Sequence, residues 1–397
     1  MPVSRSQVRW PAGAAVICLV VGVLAGAGGR ALGARAIEHA RAVEALSEVA
    51  LLVSLYCTGL QLSTPLDSRL WRVPVRLAGI TLPLTIMLIA GAAHVFLGLK
   101  IEHAVLLGAI LGPTDPVLAA HLELAAAPGA ERESATRFAL AAEGALSSIL
   151  ALPLVLFGLG LCGQRDLGAD GWRWLALDLA WPLACAAALG WAAGAATARA
   201  LARLDSRGQP GLLELLLAAS MLALACGAAF VLRASPLLTA FAAGLALARG
   251  GKLVPRPSVV PAGGPARLAR SLAPAAERAE RLAELAIVAL LGALLVISAT
   301  RAALILFALL VLVAVRPVAA RLGLRNAAAG IDRHAVAWFG IRGVASVYCL
   351  MFAIDQNLSP AFANKLAAIT LTVLAISIAL HGLTALPLGN HPAGARS

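Results

Sequence analysis

Apolar residues run along this chain in blocks of about 20, the length an α-helix needs to cross a bilayer core, and polar residues gather between them. Twelve blocks can be drawn, at 11–30, 44–62, 77–98, 103–125, 137–163, 172–202, 211–232, 236–249, 284–300, 302–320, 334–354 and 361–386. The eighth is short, and the sixth is long enough to tilt or project. The pattern predicts an all-α polytopic membrane protein of about twelve transmembrane helices. It forms one integral unit over 11–388, with terminal tails at 1–10 and 389–397. The longest polar stretch, 250–283, holds Pro255, Pro257, Pro261, Gly263, Gly264 and Pro265 and predicts a flexible connection. Its end, Glu277 to Glu284, has charges at helical spacing and predicts an interfacial helix leading into the ninth block.

Composition strengthens this reading. The 397 residues are 60% hydrophobic and 13% charged, with a mean hydropathy of +0.88, whereas a soluble domain carries about 25% charged residues. A net charge of +12 invites a nucleic-acid partner, but the placement of the charge argues against one. With the N-terminus assigned to the cytoplasm, alternate loops hold 22 Lys and Arg inside and 9 outside, and Arg342 remains within a span. That bias orients a membrane protein with both termini cytoplasmic. The partner of the basic charge is therefore the lipid bilayer, and the loop around Arg249 to Arg281 could hold anionic lipid. Arg5 and Arg9 before the first block also fit a signal peptide, although the run to Gly29 is long for a signal core and fits an uncleaved anchor. Cys18, Cys57, Cys162, Cys185, Cys226 and Cys349 are scattered through apolar segments without metal-ligand spacing, so neither a disulfide framework nor a metal site is indicated. No nucleotide-binding glycines occur. No cofactor is implied, and transport would be driven by a gradient and not by ATP.

The candidate chemistry lies in the few charges within the blocks. Asp115 sits in Gly112-Pro113-Thr114-Asp115-Pro116, inside the fourth block. An ionisable group there costs about 2.5–3.5 kcal/mol on insertion scales and is a functional hypothesis by default. Pro113 and Pro116 interrupt the helix at the carboxylate, and broken backbone at membrane depth is tolerated only inside protein or beside a water-filled cavity. Gly340 and Gly343 flank Arg342 in the eleventh block, a second predicted break. The two breaks hold corresponding places in the two halves, the arrangement of inverted repeats with discontinuous helices. Glu143 is the third charge within a span. Arg342 cannot shed its proton, so it needs a carboxylate, either Glu143 or Asp115. The one left over is a candidate to titrate or hold a cation. Asp115 could alternatively serve as a structural cap for the broken helix. Ser147 shares the face of Glu143, while Ser148 is rotated from it by about 140° and points to a different neighbour. Thr114 and Ser147 could donate ligand oxygens or simply pack. His94 and His121 could relay protons, but both read more readily as span-end or satisfied residues, and His381 reads as structural. Trp10, Trp172, Trp174, Trp181 and Trp338 fall near span boundaries and suit an aromatic belt.

The segments Gly108 to Ala119, Arg137-Phe138-Ala139-Leu140 with Glu143, Trp338-Phe339-Gly340-Ile341-Arg342-Gly343, and His381 to Leu388 occur in that order across about 44–388. Together they resemble bacterial monovalent cation/proton antiporters of the sodium/proton exchanger branch. The resemblance implies an inner-membrane homodimer that exchanges Na⁺ or K⁺ for H⁺ by alternating access. It also implies a dimerisation domain and a six-helix, elevator-like core with two crossed broken helices. The Thr-Asp-Pro and Arg-Gly segments supply the crossing, and Glu143 pairs with Arg342. The family usually has thirteen spans, so this chain looks one N-terminal span short. After the glutamate the family has Asn-Asp, whose aspartate exchanges H⁺ for the cation; this chain has Ser147-Ser148. A serine hydroxyl ligates a cation weakly and does not cycle a proton near neutral pH. No carboxylate follows between Ser147 and Gln164. Asp115 would have to be the principal titratable ligand, with Glu143 a substitute if freed from Arg342. The other possibility is a transport-incompetent relative serving as a sensor or partner subunit.

Overall fold

The computed structural model describes residues 14–28, 40–62, 64–115, 130–203, 212–250, 302–325 and 331–385, together with seven positions between 282 and 292. The tails, most of the 250–283 connection with its expected interfacial helix, Pro116 and His121 lie outside the described residues.

Twelve helices are found among the described residues. They are α1 (Ala14–Gly28), α2 (Ala40–Gln61), α3 (Arg69–Leu97), α4 (Ile101–Leu111), α5 (Ala130–Leu161), α6 (Ala169–Arg203), α7 (Leu212–Val231), α8 (Pro236–Ala248), α9 (Ala302–Gly323), α10 (Arg333–Trp338), α11 (Val344–Asp355) and α12 (Pro360–Ala385). Seven of these, α2, α3, α5, α6, α7, α9 and α12, are long and apolar enough to cross a membrane. Ten of the expected blocks coincide with helices; the fourth is helical to Leu111 and lies outside the described residues from 116, and the ninth is described only at scattered positions.

Three long helices widen by a π-turn: α3 at Leu77–Thr81, α6 at Trp174–Ala180 and α9 at Leu310–Val315. Each stretch holds the residue four before a proline, at Pro83, Pro182 and Pro317. A proline ring clashes with the carbonyl four residues earlier and cannot donate to it. Widening the helix removes the clash without ending the helix.

Helix α8 is short, and nearly every residue from Leu237 to Leu247 is buried. At 13 residues it spans about 20 Å, less than the hydrocarbon thickness of about 30 Å, so protein must cover it. Helices α2, α6 and α7 do so. Gly190 and Gly194 bring α6 so close that a Cβ on either would overlap the carbonyls of Thr239 and Ala243, and Gly59 and Gly244 do the same between α2 and α8. Small residues at such seams are how helices associate in lipid, where no hydrophobic gain separates helix from tail. Helices α6 and α7 turn Leu175, Leu177, Leu213, Leu216, Leu224 and Phe230 outward.

The second group, α3, α4, α5, α9, α10, α11 and α12, surrounds a core that includes Leu106, Leu107, Ile110, Leu111, Val155, Leu350 and Leu374. The groups meet chiefly where α2 packs on α11, joined at one end by an Arg41–Asp355 ion pair of 2.8 Å.

Candidate functional site: a helix crossing with four buried charges

Helix α4 ends at Leu111, and Gly112 to Asp115 continue without helix. Helix α10 ends at Trp338, and the chain runs open through Phe339 to Gly343 before α11 starts at Val344. The two openings cross. The Asp115 N–H donates to Ile341 O at 2.9 Å, and the Val344 N–H donates to Asp115 Oδ2 at 2.8 Å. Asp115 thus caps α11 from a different segment of chain, with its negative charge at the positive end of the helix. Gly343 makes this possible, because a Cβ there would overlap the Asp115 carboxylate.

Arg342 is 0% exposed. Its backbone N–H donates to Ser377 Oγ on α12 at 3.1 Å. Its Nη1 donates to Gly112 O and to Pro113 O, the latter at 2.8 Å. These carbonyls lie just past the C-terminus of α4, where a cation offsets the partial negative charge of a helix end. His381 ties the same region together: its Nδ1 pairs with Ser377 O at 2.8 Å and its Nε2 with Trp338 O at 3.1 Å. His94 is at the end of α3, with Nδ1 2.7 Å from Leu99 O.

The expected Glu143–Arg342 pair is not what forms. Glu143 pairs with Arg316 of α9, whose Nη2 is 2.7 Å from Oε1 and 2.8 Å from Oε2. Both side chains are 3% exposed. Arg316 crosses the second break to reach it, over Gly340, where a Cβ would overlap the Arg316 side chain. Arg342 is committed to the carbonyls of the other break. By its place in the chain Arg316 falls among the 22 cytoplasmic charges, since Arg321 and Arg325 follow it. The available signal was its flanks, Leu310 to Val315 on one side and Pro317 to Ala320 on the other, all apolar.

The hydroxyls gather on Thr114. The Thr114 N–H donates to Ser147 Oγ at 3.2 Å, the Thr114 and Ser147 hydroxyls are 3.2 Å apart, and Ser148 Oγ donates to Thr114 O at 3.3 Å. Ser147 also donates to Gly144 O at 3.1 Å. Ser148 thus meets a neighbour other than the Arg316 that pairs with Glu143, and Ser147 meets Thr114 as well. Thr114, Asp115, Ser147 and Ser148 are all buried, so the α5 hydroxyls meet the first break at the residue that precedes its carboxylate. Among the described residues no group of three or more His, Cys, Asp or Glu is placed to hold a metal ion.

A family profile described as "Sodium/hydrogen exchanger, transmembrane" matches residues 6–391. The chain belongs to the sodium/hydrogen exchanger family. It is a multi-pass membrane transporter, and the exchanger architecture extends over the whole described structure. The sodium proton antiporter MjNhaP1 from Methanocaldococcus jannaschii, solved at pH 8, superposes with a TM-score of 0.67 at 18% identity, covering 93% of this exchanger and 92% of that chain. The electron-microscopy structure of the same antiporter gives a TM-score of 0.69 at 18% identity, with 96% and 92% covered. At that identity the likeness is one of fold. No curated protein sequence matches this exchanger.

Proposed function

We propose that this exchanger is a secondary antiporter of the bacterial inner membrane, trading Na⁺ or K⁺ for H⁺ by alternating access, and that it works as a homodimer with both termini cytoplasmic. Asp115 is the group for which cation and proton compete. The observation that supports this reading is the convergence of the Ser147 and Ser148 hydroxyls on Thr114, a hard-oxygen set suited to an alkali cation, at the residue next in the chain to a carboxylate that is 1% exposed. Exposed carbonyls and half-helix ends at such a break are the usual ligands of coupling ions in discontinuous helices.

A second reading is favoured by two particulars of the same site. Asp115 Oδ2 already accepts from Val344 N–H, and serine stands at 148, where the family resemblance puts the exchanging aspartate. Such a chain would be a transport-incompetent relative acting as a sensor or partner subunit. One experiment separates the two: a pH jump in proteoliposomes with Na⁺, K⁺ or Li⁺ gradients, followed by a lumenal pH dye. Cation-dependent proton movement that disappears in Asp115→Asn supports the antiporter. Silence in the native chain, with activity appearing in Ser147→Asn/Ser148→Asp, supports the second reading.

A further inference from the structure

We propose that Arg342 holds a small monovalent anion, chloride in a cell, beside the crossing, and that this anion lets the crossing accept a cation. The inference rests on the cation-exchange reading above. Asp115, Glu143, Arg316 and Arg342 are 1%, 2%, 2% and 0% exposed, and their formal charges cancel. Glu143 is used by Arg316 through both of its oxygens. Arg342 keeps only neutral acceptors, the carbonyls of Gly112 and Pro113, and both lie on Nη1. Its Nε and Nη2 have no acceptor among the described residues.

Those two atoms form one edge of the planar guanidinium, the edge whose parallel N–H groups bind an anion side-on. Arginine cannot relieve the deficit by losing its proton, and a buried donor without a partner is costly. Close by in the chain, Ser346, in the first turn of the α11 that Asp115 caps, has a buried hydroxyl with no partner among the described residues.

The cation then follows from charge balance. A monovalent cation among Thr114, Asp115, Ser147 and Ser148 brings a neutral buried cluster to one net positive charge. An anion on Arg342 returns it to zero. The two sites share a stretch of backbone: Arg342 bonds Pro113 O and Ser148 bonds Thr114 O. Each ion therefore strengthens binding of the other by the same factor, as linkage demands.

The test is equilibrium binding of radioactive chloride to the purified full-length protein in detergent, with Na⁺, K⁺ or N-methylglucamine as the only cation. Saturable binding, tighter by about tenfold in Na⁺ or K⁺ than in N-methylglucamine, is expected. Arg342→Lys keeps the charge but removes the paired donors, and should weaken chloride binding by a similar factor. Should that variant fail to fold, Ser148→Asp, with Arg342 intact, supplies a fixed negative charge and should lower chloride affinity and abolish its dependence on the cation. Proteoliposome flux in chloride against gluconate gives an independent readout: the native chain should slow in gluconate, and Ser148→Asp should not. Absence of saturable chloride binding, or binding indifferent to both the cation and Ser148→Asp, overturns the anion site. Cation-coupled chloride binding without proton flux would leave the anion site standing and sink the antiporter reading alone.

Discussion

Glu143 and Arg316 are held together in a place where neither could stand alone. Replacing a buried ion pair by apolar groups is often nearly neutral, while removing one partner strands the other and costs about 3–5 kcal/mol. Glu143→Gln should therefore lower the thermal stability of the purified protein sharply, as read by the temperature at which its monodisperse elution peak is lost. The double change Glu143→Leu/Arg316→Met should recover most of that loss. Combining Glu143→Gln with Arg342→Met restores the charge balance but no hydrogen bond between the two, so it should recover less than the Glu143→Leu/Arg316→Met change; equal recovery would restore the pairing expected from sequence. The glycines at the second break give a matched comparison. Gly343→Ala drives a methyl into the Asp115 carboxylate, which is fixed by its bond to Val344, and Gly340→Ala meets the flexible stem of Arg316. The first should cost more, toward the upper end of the 1–3 kcal/mol typical of overpacking, and both are read by the same stability measurement. Asp115, Glu143 and Arg342 were legible as special because each interrupts an apolar run. Arg316 was not, because its run ends within a few residues in further arginines. Charge counting could say that a buried arginine needs a carboxylate, but with two arginines and two carboxylates present it could not say which arginine met which.

Among the elements, positions were easier to read than interruptions. Helices α7, α8 and α12 lie within two residues of the expected limits, because an apolar block bounded by polar residues has little freedom over where it enters lipid. Helix α3 begins at Arg69, ahead of the expected 77, since Arg72 and Arg76 lie in its first turns and read as loop. The π-turns left no direct hydropathy trace, yet each answers to a proline one turn later, so Pro83, Pro182 and Pro317 were available signals. Two of these widened helices, α3 and α9, directly precede α4 and α10, the helices that lead into the two breaks. The correspondence accords with two repeated halves, because the same distortion precedes the crossing twice. The glycine seams make a prediction at this scale. Gly194→Leu should separate α6 from α8 and destabilise the protein, since its Cβ has only the Ala243 carbonyl and the Ala246 methyl to displace. Gly227 on α7 has nothing within 4 Å. There Gly227→Ala should be neutral or stabilising by up to about 1 kcal/mol, the helix-propensity difference. Thermostability of the two variants side by side checks whether the seam, and not glycine as such, carries the effect.

At the scale of the whole molecule, moving Arg316 into the core leaves 21 basic residues on the expected cytoplasmic side against 9 opposite, so the orientation expected from charge is unchanged. Thiol labelling in intact cells and in inverted vesicles should find both termini reactive only in the vesicles. The more searching test concerns what the buried charges are for. Asp115 has two separable duties: its carboxylate oxygen accepts from Val344 N–H, which sets α11 against the first break, and its negative charge balances the cluster. Asparagine keeps an acceptor oxygen in the same place and gives up the charge and the titrating proton; alanine gives up everything. If Asp115 served only as a cap, Asp115→Asn would transport like the native chain and Asp115→Ala would lose about 0.5–2 kcal/mol, the value of a helix cap. If it is also the exchanging group, Asp115→Asn should stay close to native in stability and lose all cation-dependent proton movement, while Asp115→Ala loses both. Stability and flux measured together on the two variants thus decide whether the crossing is held by Asp115 or driven by it. The distinction cannot be drawn from position, since one carboxylate in one place performs both duties.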